Sequence, residues 1–267
     1  MKDNYPQRQP SLAKHLCLLS ILPSLYVPIS LAEENVQDMS DPLAVFTQVG
    51  VGATDKGLNL KIGKSYDTGE DNLAGMNVFE VKGFLGDVTG FNSDEDLLDN
   101  SVDSLRYRNF EVNLTNGRAF QVDVNYDVGN EAGTASYSFI QALPKLGPLS
   151  FYPLAGAGVA FGNTILDDGR KVGGYTIPGT FAVVGAYSKL ELTEDIWFNY
   201  NPMWTSTLSG SDEYQNQAME GDDNVLNHEI SLSYQVNPKF NVRYFANWSE
   251  NNAFEDGGHR IEFNYQL

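Results

Sequence analysis

The 267-residue chain has one cysteine, few basic residues and, after residue 35, no long apolar run. A single cysteine cannot form a disulfide within the chain, so the fold must be held by its core or its sheet. The 17 Lys and Arg residues stand against 35 Asp and Glu, and this formal charge of −18 excludes the basic footprint that nucleic-acid binding requires. Without an apolar run of about 18 residues, the chain beyond its first segment cannot be a helical membrane protein.

The composition is nevertheless too apolar for a disordered acidic protein. Hydrophobic residues make up 42% of the chain and aromatic residues 12%, and the mean hydropathy is −0.31. The length is sufficient for one large domain or a closed barrel. A membrane barrel fits these values because only alternate residues of its strands touch lipid.

The first 32 residues have the pattern of a cleaved secretory signal. They combine a basic start, a short apolar core and small residues near the end: Lys2, Arg8, Lys14, 16–22, Ser30 and Ala32. We expect cleavage after Ala32, and Pro23 and Pro28 disfavour the alternative of a membrane anchor. The single cysteine, Cys17, then leaves with the signal.

From residue 43 onward the apolar residues recur at every second position, which is typical of strands with one apolar and one polar face. The last segment shows this best, because Ile261, Phe263 and Tyr265 alternate with polar residues. The pattern predicts about twelve strands, with ten or fourteen as alternatives, at 43–54, 58–66, 75–86, 104–115, 118–128, 134–143, 149–162, 179–193, 196–208, 225–236, 240–249 and 258–267. Their lengths are close to the roughly 9–11 residues with which a tilted strand crosses a bilayer.

Long and tight connections alternate from the third predicted strand on. The long ones are 87–103, 163–178, 209–224 and 250–257, with a medium one at 129–133. The tight ones are Asn116-Gly117, 144–148, Glu194-Asp195 and 237–239. An outer-membrane barrel has short periplasmic turns and longer outward loops, whereas a soluble sandwich has no reason to sort its loops by length. An even number of strands then places both termini in the periplasm.

With the signal ending in Ser30-Leu31-Ala32 and the alternating last strand, the chain resembles a Gram-negative outer-membrane β-barrel protein of the porin-like class. The resemblance implies an all-β fold, a single antiparallel transmembrane barrel, in the cell outer membrane. It also implies that the barrel-assembly machinery reads Phe263, Tyr265 and Leu267, although Leu267 replaces the terminal aromatic residue usual in the class. The expected domains are a signal peptide at 1–32, a short periplasmic segment at 33–42 and the barrel at 43–267.

The polar parity of the strands predicts a lumen lined by both signs of charge. The predicted lining residues are Lys61, Glu80, Lys82, Glu111, Asp123, Asp127, Lys189, Glu191, Glu229, Arg243, Arg260 and Glu262. Arg106 and Arg108 are not assigned to a face. Opposite charges in a narrow barrel either pair and plug it or line an open path, and both interpretations stay open. Small residues on the inward parity of the strand 149–162 either leave lumen space or form a crowded corner: Gly156, Gly158, Ala160 and Gly162.

The acidic residues concentrate in the long loops, mainly 87–103 and 209–224. Asn92, Asp94, Asp96 and Asp103 have the 1, 3, 5, 12 spacing of a calcium-binding loop. Leu97 occupies the glycine position of that pattern and no predicted helices flank it, so a solvated acidic loop is the favoured interpretation. No metal and no cofactor are therefore expected.

Residues suited to catalysis are scarce. Of the three histidines, His15 lies in the signal, and His228 and His259 lie on the apolar parity near the predicted outer rim. Ser231, three residues after His228, faces the opposite side of a strand, so the two cannot form a hydrolase site. The chain has no glycine-rich phosphate loop and no G-x-S-x-G motif. The sequence therefore does not predict an enzyme.

The leading hypothesis is a narrow channel for the passive diffusion of small polar solutes. The alternative is a non-conducting surface barrel whose acidic extracellular loops bind a partner, cations or lipopolysaccharide. A third and disfavoured hypothesis is an outer-membrane lipid-modifying enzyme. The expected partners are outer-membrane lipid, lipopolysaccharide and the barrel-assembly machinery, and nucleic acid is not among them.

Overall fold

The computed structural model describes residues 36–91, 98–163 and 174–267, which contain one antiparallel β-sheet of thirteen strands. The strands are β1 Gln48–Thr54, β2 Gly57–Asp67, β3 Leu73–Phe84, β4 Ser104–Asn113, β5 Arg118–Asp127, β6 Ala132–Gln141, β7 Leu149–Gly162, β8 Thr176–Glu191, β9 Ile196–Tyr200, β10 Met203–Gly210, β11 Asn224–Asn237, β12 Phe240–Ser249 and β13 Gly258–Gln266. The connections contain the short helices α1 Gly86–Thr89 and α2 Asp212–Gln217 and a 3-10 turn at Phe254–Asp256. Within these described ranges no helix is long and apolar enough to cross a membrane.

The sheet closes on itself because β1 pairs with β13. Gln48 faces Gln266 and Thr54 faces Arg260 in this register. β9 and β10 both pair with β8 and β11, so they share one position and the described barrel has twelve positions. Closure leaves no open sheet edge, which the interior of a bilayer would not tolerate. The predicted all-β, antiparallel barrel of about twelve strands is confirmed.

The position that β9 and β10 share is interrupted at Asn201 and Pro202. Proline has no backbone N–H, so the ladder cannot continue unchanged through it. The Asn201 N–H donates to the Glu229 carbonyl at 2.8 Å, and the Asn201 side-chain oxygen accepts the Ser188 N–H at 3.1 Å. The Pro202 carbonyl accepts the Ala186 N–H, also at 3.1 Å. These bonds keep the barrel wall closed across the interruption.

The predicted strands match the observed ones within a few residues, apart from two differences. The predicted strand 196–208 is the interrupted pair β9 and β10. The first predicted strand, 43–54, is a strand only from Gln48. Residues 36–47 instead run through the barrel interior, where Leu43 packs against inward side chains. Alternating apolar residues suit an extended segment packed inside the wall as well as a strand of the wall, which is why the sequence pattern misleads there.

The connections form two rims. At one end, here called the turn rim, lie the C-terminus and the connections 68–72, 114–117, 142–148, 192–195 and 238–239. At the other end, the loop rim, lie the described residues of the connections 85–103 and 163–175, the connections 211–223 and 250–257, and the short connections 55–56 and 128–131. Gly117 permits one of the tight turns, because its φ of 67° is strained for other residues. The four longest connections all lie at the loop rim, as the sorting predicts, but 55–56 and 128–131 at the same rim are shorter than 142–148 at the turn rim.

The faces of the wall are inverted relative to a water-soluble protein. Large apolar side chains point outward and are exposed, among them Ile62, Phe79, Val184, Leu232 and Phe263. Fully buried side chains inside the wall include the polar residues Ser231, Ser233, Asn241 and Asn264. Apolar area left in water forfeits about 25 cal/mol per Å², whereas lipid covers such a wall without that loss. The outer wall therefore suits a bilayer and the interior suits water and polar solutes.

Candidate functional site in the barrel lumen

Strand alternation places the predicted lining residues on the inward face, with one exception. Glu80, for example, lies opposite Lys61 on one side and Arg106 on the other. The predicted residues that face inward are Lys61, Glu80, Lys82, Asp123, Asp127, Lys189, Glu191, Glu229, Arg243, Arg260 and Glu262. Arg106 and Arg108, which the sequence pattern does not assign to a face, also point into the lumen.

Glu111 is the exception, and its predicted place in the lumen was wrong. It lies on the outward face of β4, where its carboxylate accepts a hydrogen bond from the Tyr66 hydroxyl at 3.1 Å. The inward face of this end of β4 carries Phe110 and Val112, which belong to apolar clusters with residues of the segment 36–47. Both alternating sets of residues in β4 contain polar side chains. The inward set can therefore be recognised only when the packing of residues 36–47 against it is known.

One end of a charged wall is centred on Glu262 in β13. Its carboxylate pairs with Lys61 at 2.5 Å and with Arg260 at 3.3 Å. The guanidinium groups of Arg260 and Arg243 lie over the Phe245 ring, 4.2 and 4.7 Å from its centre. Such cation–π contacts stabilise a guanidinium without neutralising its charge. The hydrogen bonds of Arg243 go to uncharged side-chain oxygens, those of Asn199, Ser231 and Ser233.

The other end of the charged wall is centred on Glu80 in β3. Its carboxylate pairs with Lys82 at 3.0 Å and with Arg108. On the neighbouring strands Arg106 and Asp123 form a two-pronged contact, with Nε to Oδ1 at 2.9 Å and Nη2 to Oδ2 at 2.5 Å. Bidentate pairs of this kind fix the orientation of a guanidinium. The wall therefore presents charges in fixed positions, which is the condition for selecting solutes.

The opposite wall, formed by β6 to β8, carries small and uncharged side chains in the middle of the lumen. A Cβ at Gly158 would lie 2.5 Å from the Cζ atom of Phe181, and a Cβ at Gly156 would lie 2.3 Å from the Ser138 hydroxyl oxygen. The glycines are thus required by the close approach of neighbouring side chains. Small inward residues of the strand 149–162 were expected either to leave lumen space or to form a crowded corner. Crowding explains Gly156 and Gly158.

Of the cavities in the described part of the lumen, two adjoin each other around the charged wall. The upper one, of about 540 Å³, opens toward the loop rim, where Glu220 and Asn252 line it. The lower one, of about 280 Å³, lies nearer the turn rim. Arg106, Arg108 and Glu229 line both cavities. A solute that crosses the barrel therefore passes these shared side chains.

Residues 36–47 form the floor of the lower cavity. Met39, Leu43 and Phe46 are buried there, and residues 39–42 line the cavity beneath the charged wall. The sequence pattern divides this segment between the expected periplasmic residues 33–42 and the first predicted strand. Turn-forming residues clustered around Pro42 are the available signal that the segment is not part of a strand: Asp38, Ser40 and Asp41.

Phe263, Tyr265 and Leu267 point outward at the turn rim and are exposed. Their alternation on one face matches the expected pattern, and their part in barrel assembly stays a prediction. The terminal residue is tied to the wall, because the Leu267 N–H donates to the Thr47 carbonyl at 2.9 Å. Phe263 stacks on Phe240 of β12, with ring centres 6.4 Å apart.

The weak calcium-loop pattern falls largely outside the described residues, since Asn92, Asp94 and Asp96 do so. Asp103 is described and lies at the loop rim, where burial, opposed by Lys56 but reinforced by neighbouring carboxylates, raises its pKa above the ordinary value. In the part of the chain that the structure describes, no three His, Cys, Asp or Glu side chains are placed to hold a metal ion.

His228 and His259 lie on the outward face toward the loop rim, among aromatic rings. The Tyr200 hydroxyl lies 2.9 Å from Nδ1 of His228, and the Tyr244 hydroxyl lies 2.8 Å from Nδ1 of His259. The His228 ring also stacks on Trp248, with centres 5.1 Å apart. Rings with an apolar body and a polar tip are typical of the level of lipid headgroups. This setting is interfacial and lies on the opposite side of the wall from the lumen.

No protein-family model and no curated protein matches the sequence. The fold, however, matches solved structures of outer-membrane channels. The NanC porin superposes with a TM-score of 0.52 and 9% identity, covering 83% of this chain and 100% of that chain. An outer membrane channel from Pseudomonas putida F1 superposes with a TM-score of 0.51 and 9% identity, covering 89% of this chain and 100% of that chain. The chain therefore has the fold of an outer-membrane β-barrel of the porin-like class, as its sequence pattern predicts.

Proposed function

We propose that the protein is a channel of the Gram-negative outer membrane through which small polar solutes diffuse passively, with anions favoured over cations. The observation that carries the proposal is a polar lumen with adjoining cavities of about 540 and 280 Å³ inside a wall whose outer face is apolar. The interfacial setting of His228 and His259 supports a non-enzymatic role, because both histidines face away from the lumen.

The charge of the lower cavity supports the preference for anions. Its lining cations are Lys61, Lys82, Arg106, Arg108, Arg243 and Arg260, and its lining carboxylates are Asp41, Glu80, Glu229 and Glu262. The balance of this cavity is positive although the upper cavity has an excess of carboxylates and the whole chain has a net charge of −18. Fixed charges along a narrow path attract ions of the opposite sign and repel those of the same sign. Arg243 contributes most directly, since its hydrogen bonds go to uncharged oxygens.

The orientation is also part of the proposal. Residues 1–32 direct export, the turn rim faces the periplasm and the loop rim faces the cell exterior. The four longest connections lie at the loop rim, which supports this orientation because outer-membrane barrels have their longer loops on the outside. The acidic loop 211–223 and the described residues of the loop 85–103 then lie at the outer mouth of the channel.

Reversal potentials across a planar bilayer under a salt gradient test the proposed selectivity. The wild type is expected to give the sign of an anion-preferring channel. In the variant Arg106→Gln with Arg108→Gln, the loss of two cations leaves Glu80 and Asp123 in excess, so the potential is expected to shift toward cation preference. Arg118→Gln, at the exposed start of β5, is the control and is expected to leave the potential unchanged. A potential that is equal in all three proteins would contradict the assigned role of this wall.

A further inference from the structure

The segment 36–47, from here on the lumen segment, is held in two different ways. Its second half is packed: Leu43 belongs to an apolar cluster with inward residues of β4 to β7, namely Val112, Ala119, Ile140, Tyr152 and Leu154. Val45 packs against a neighbouring cluster formed by Met76, Val78 and Phe110. Burial of these apolar side chains fixes the half of the segment that leads into β1.

The first half, residues 38–41, is held by polar contacts. The Lys189 ammonium pairs with Asp38 at 3.3 Å and donates to the Ser40 hydroxyl, and the Tyr152 hydroxyl donates to Asp41 at 3.1 Å. The Asp38 side chain is 63% exposed, and ion pairs with a solvated partner are weak. Burial alone would raise the pKa of Asp38, but hydrogen bonds from Ser40 and the charge of Lys189 outweigh it and hold that pKa below its ordinary value. The contact is therefore ionic, solvated on one side and separable.

Lys189 has a second partner in the barrel wall. Its ammonium lies 2.9 Å from Glu191, which also pairs with Lys145 at 2.6 Å. The Lys189 side chain is 7% exposed, and a buried cation left without a partner is strongly destabilising. Because Glu191 remains beside it, Lys189 can release Asp38 without losing all its neutralising charge. Lys189 can therefore pair either with both Asp38 and Glu191 or with Glu191 alone.

The polar half also lines the lumen. Residues 39–42 line the lower cavity together with Arg243 of the charged wall. The buried Met39 side chain reaches across to β11, where Gln235 Nε2 lies 3.5 Å from its sulfur. Displacement of residues 38–41 would enlarge the lower cavity, while the packing of Leu43 and Val45 keeps the rest of the segment in position.

We propose that the polar half of the lumen segment is a displaceable plug of the channel and that Lys189 is its latch. Lys189 acts as a positioning residue: it holds Asp38 and Ser40 when the plug is seated and keeps Glu191 when the plug leaves. The packed half around Leu43 is the hinge. This inference rests on the proposed channel function, because a plug regulates only a lumen that conducts.

Single-channel recording of Lys189→Met tests the latch, with Lys145→Met as the matched control. Both variants remove a lysine that pairs with Glu191, but Lys189 also bonds the lumen segment. Lys189→Met is expected to raise the time-averaged conductance by at least about twofold, because an unlatched plug leaves the lower cavity more often. Lys145→Met is expected to conduct like the wild type. Deletion of residues 36–42 is expected to give the largest conductance of the set.

Thiol labelling provides a readout that does not depend on conductance. In a full chain with Cys17→Ser, the substitution Met39→Cys places one thiol at a buried position of the plug. A membrane-impermeant maleimide is expected to label this thiol faster when Lys189→Met is added, and at the unchanged rate when Lys145→Met is added. Unequal rates in this direction report displacement of the plug and not a change in ion selectivity.

The outcomes separate the plug from the channel. Equal conductance of the wild type, Lys189→Met and the deletion variant would overturn the plug and leave the channel standing. Absence of conductance in the wild type and in the deletion variant alike would overturn the proposed channel itself. A rise in the deletion variant alone, with labelling unaffected by Lys189→Met, would overturn the assignment of Lys189 as the latch.

Discussion

At the residue scale, the contact between Arg106 and Asp123 fixes a guanidinium that lines both cavities of the lumen. Asp123→Asn removes one charge and one prong of the contact, and it leaves Arg106 partly buried beside a neutral amide. We expect the free energy of unfolding to fall by about 1–3 kcal/mol, the range for a hydrogen-bonded charge that loses its partner. Urea unfolding followed by heat-modifiable migration in detergent gels measures the change.

The matched control for this prediction is Asp195→Asn. Asp195 lies in the exposed connection 192–195 at the turn rim, where neutralising a solvated carboxylate changes stability little. Equal losses of stability in the two variants would show that the contact between Arg106 and Asp123 contributes nothing specific to the fold.

Alternation is sufficient to place individual residues where one parity is clearly apolar. Lys61, for example, is placed inward by the alternation because Leu58, Leu60 and Ile62 mark the other face of β2 as apolar. β4 is different, because Arg106 and Arg108 share their parity with apolar Phe110 and Val112, while Glu111 shares its parity with Tyr107. The inward face of that strand changes from polar to apolar along its length, since the lumen segment fills the barrel at one end. The alternation within one strand contains no information about the lumen segment that packs against it.

At the scale of the element, the interruption between β9 and β10 depends on one amide side chain. Asn201 accepts the Ser188 N–H at 3.1 Å and donates to the Glu229 carboxylate at 2.8 Å. Asn201→Ala leaves both groups without this partner inside the wall, and we expect a loss of about 1–3 kcal/mol in the free energy of unfolding. Thermal denaturation in detergent, followed by the loss of β-sheet circular dichroism, measures it.

Pro202→Ala is the comparison for this second prediction. It restores a backbone N–H and leaves the bonds of Asn201 in place, so the change in stability is expected to be smaller than that of Asn201→Ala. A larger loss for Pro202→Ala would mean that the proline ring, and not the asparagine amide, maintains the interruption.

Most elements are predictable from the sequence because strands of a barrel repeat one simple pattern. Ten of the twelve predicted segments coincide with observed strands within a few residues. Of the two that differ, 196–208 is interrupted at Pro202, and the start of 43–54 packs inside the barrel through Leu43 and Val45. The apolar alternation continues through both regions. Periodicity reports which side chains are buried, whereas the ladder depends on backbone donors.

At the scale of the whole molecule, the net charge of the chain and that of the lower cavity have opposite signs. The chain is strongly acidic, with a formal charge of −18, yet six cations and four carboxylates line the lower cavity. The architecture follows from local patterns, since closure and inverted faces need only alternation and loop length. The sign of the lower cavity does not follow from them, because it depends on which charges meet across strands far apart in sequence, as Lys61 and Glu262 do.

The central claim is that this barrel conducts ions and small polar solutes through its lumen. Single-channel recording of the purified full chain in planar bilayers tests it most directly. We expect discrete conductance steps whose reversal potential indicates anion preference and whose size increases when residues 36–42 are deleted. A protein that folds as a heat-modifiable barrel but gives no conductance steps at any salt concentration, with or without residues 36–42, would show that the barrel is not a channel.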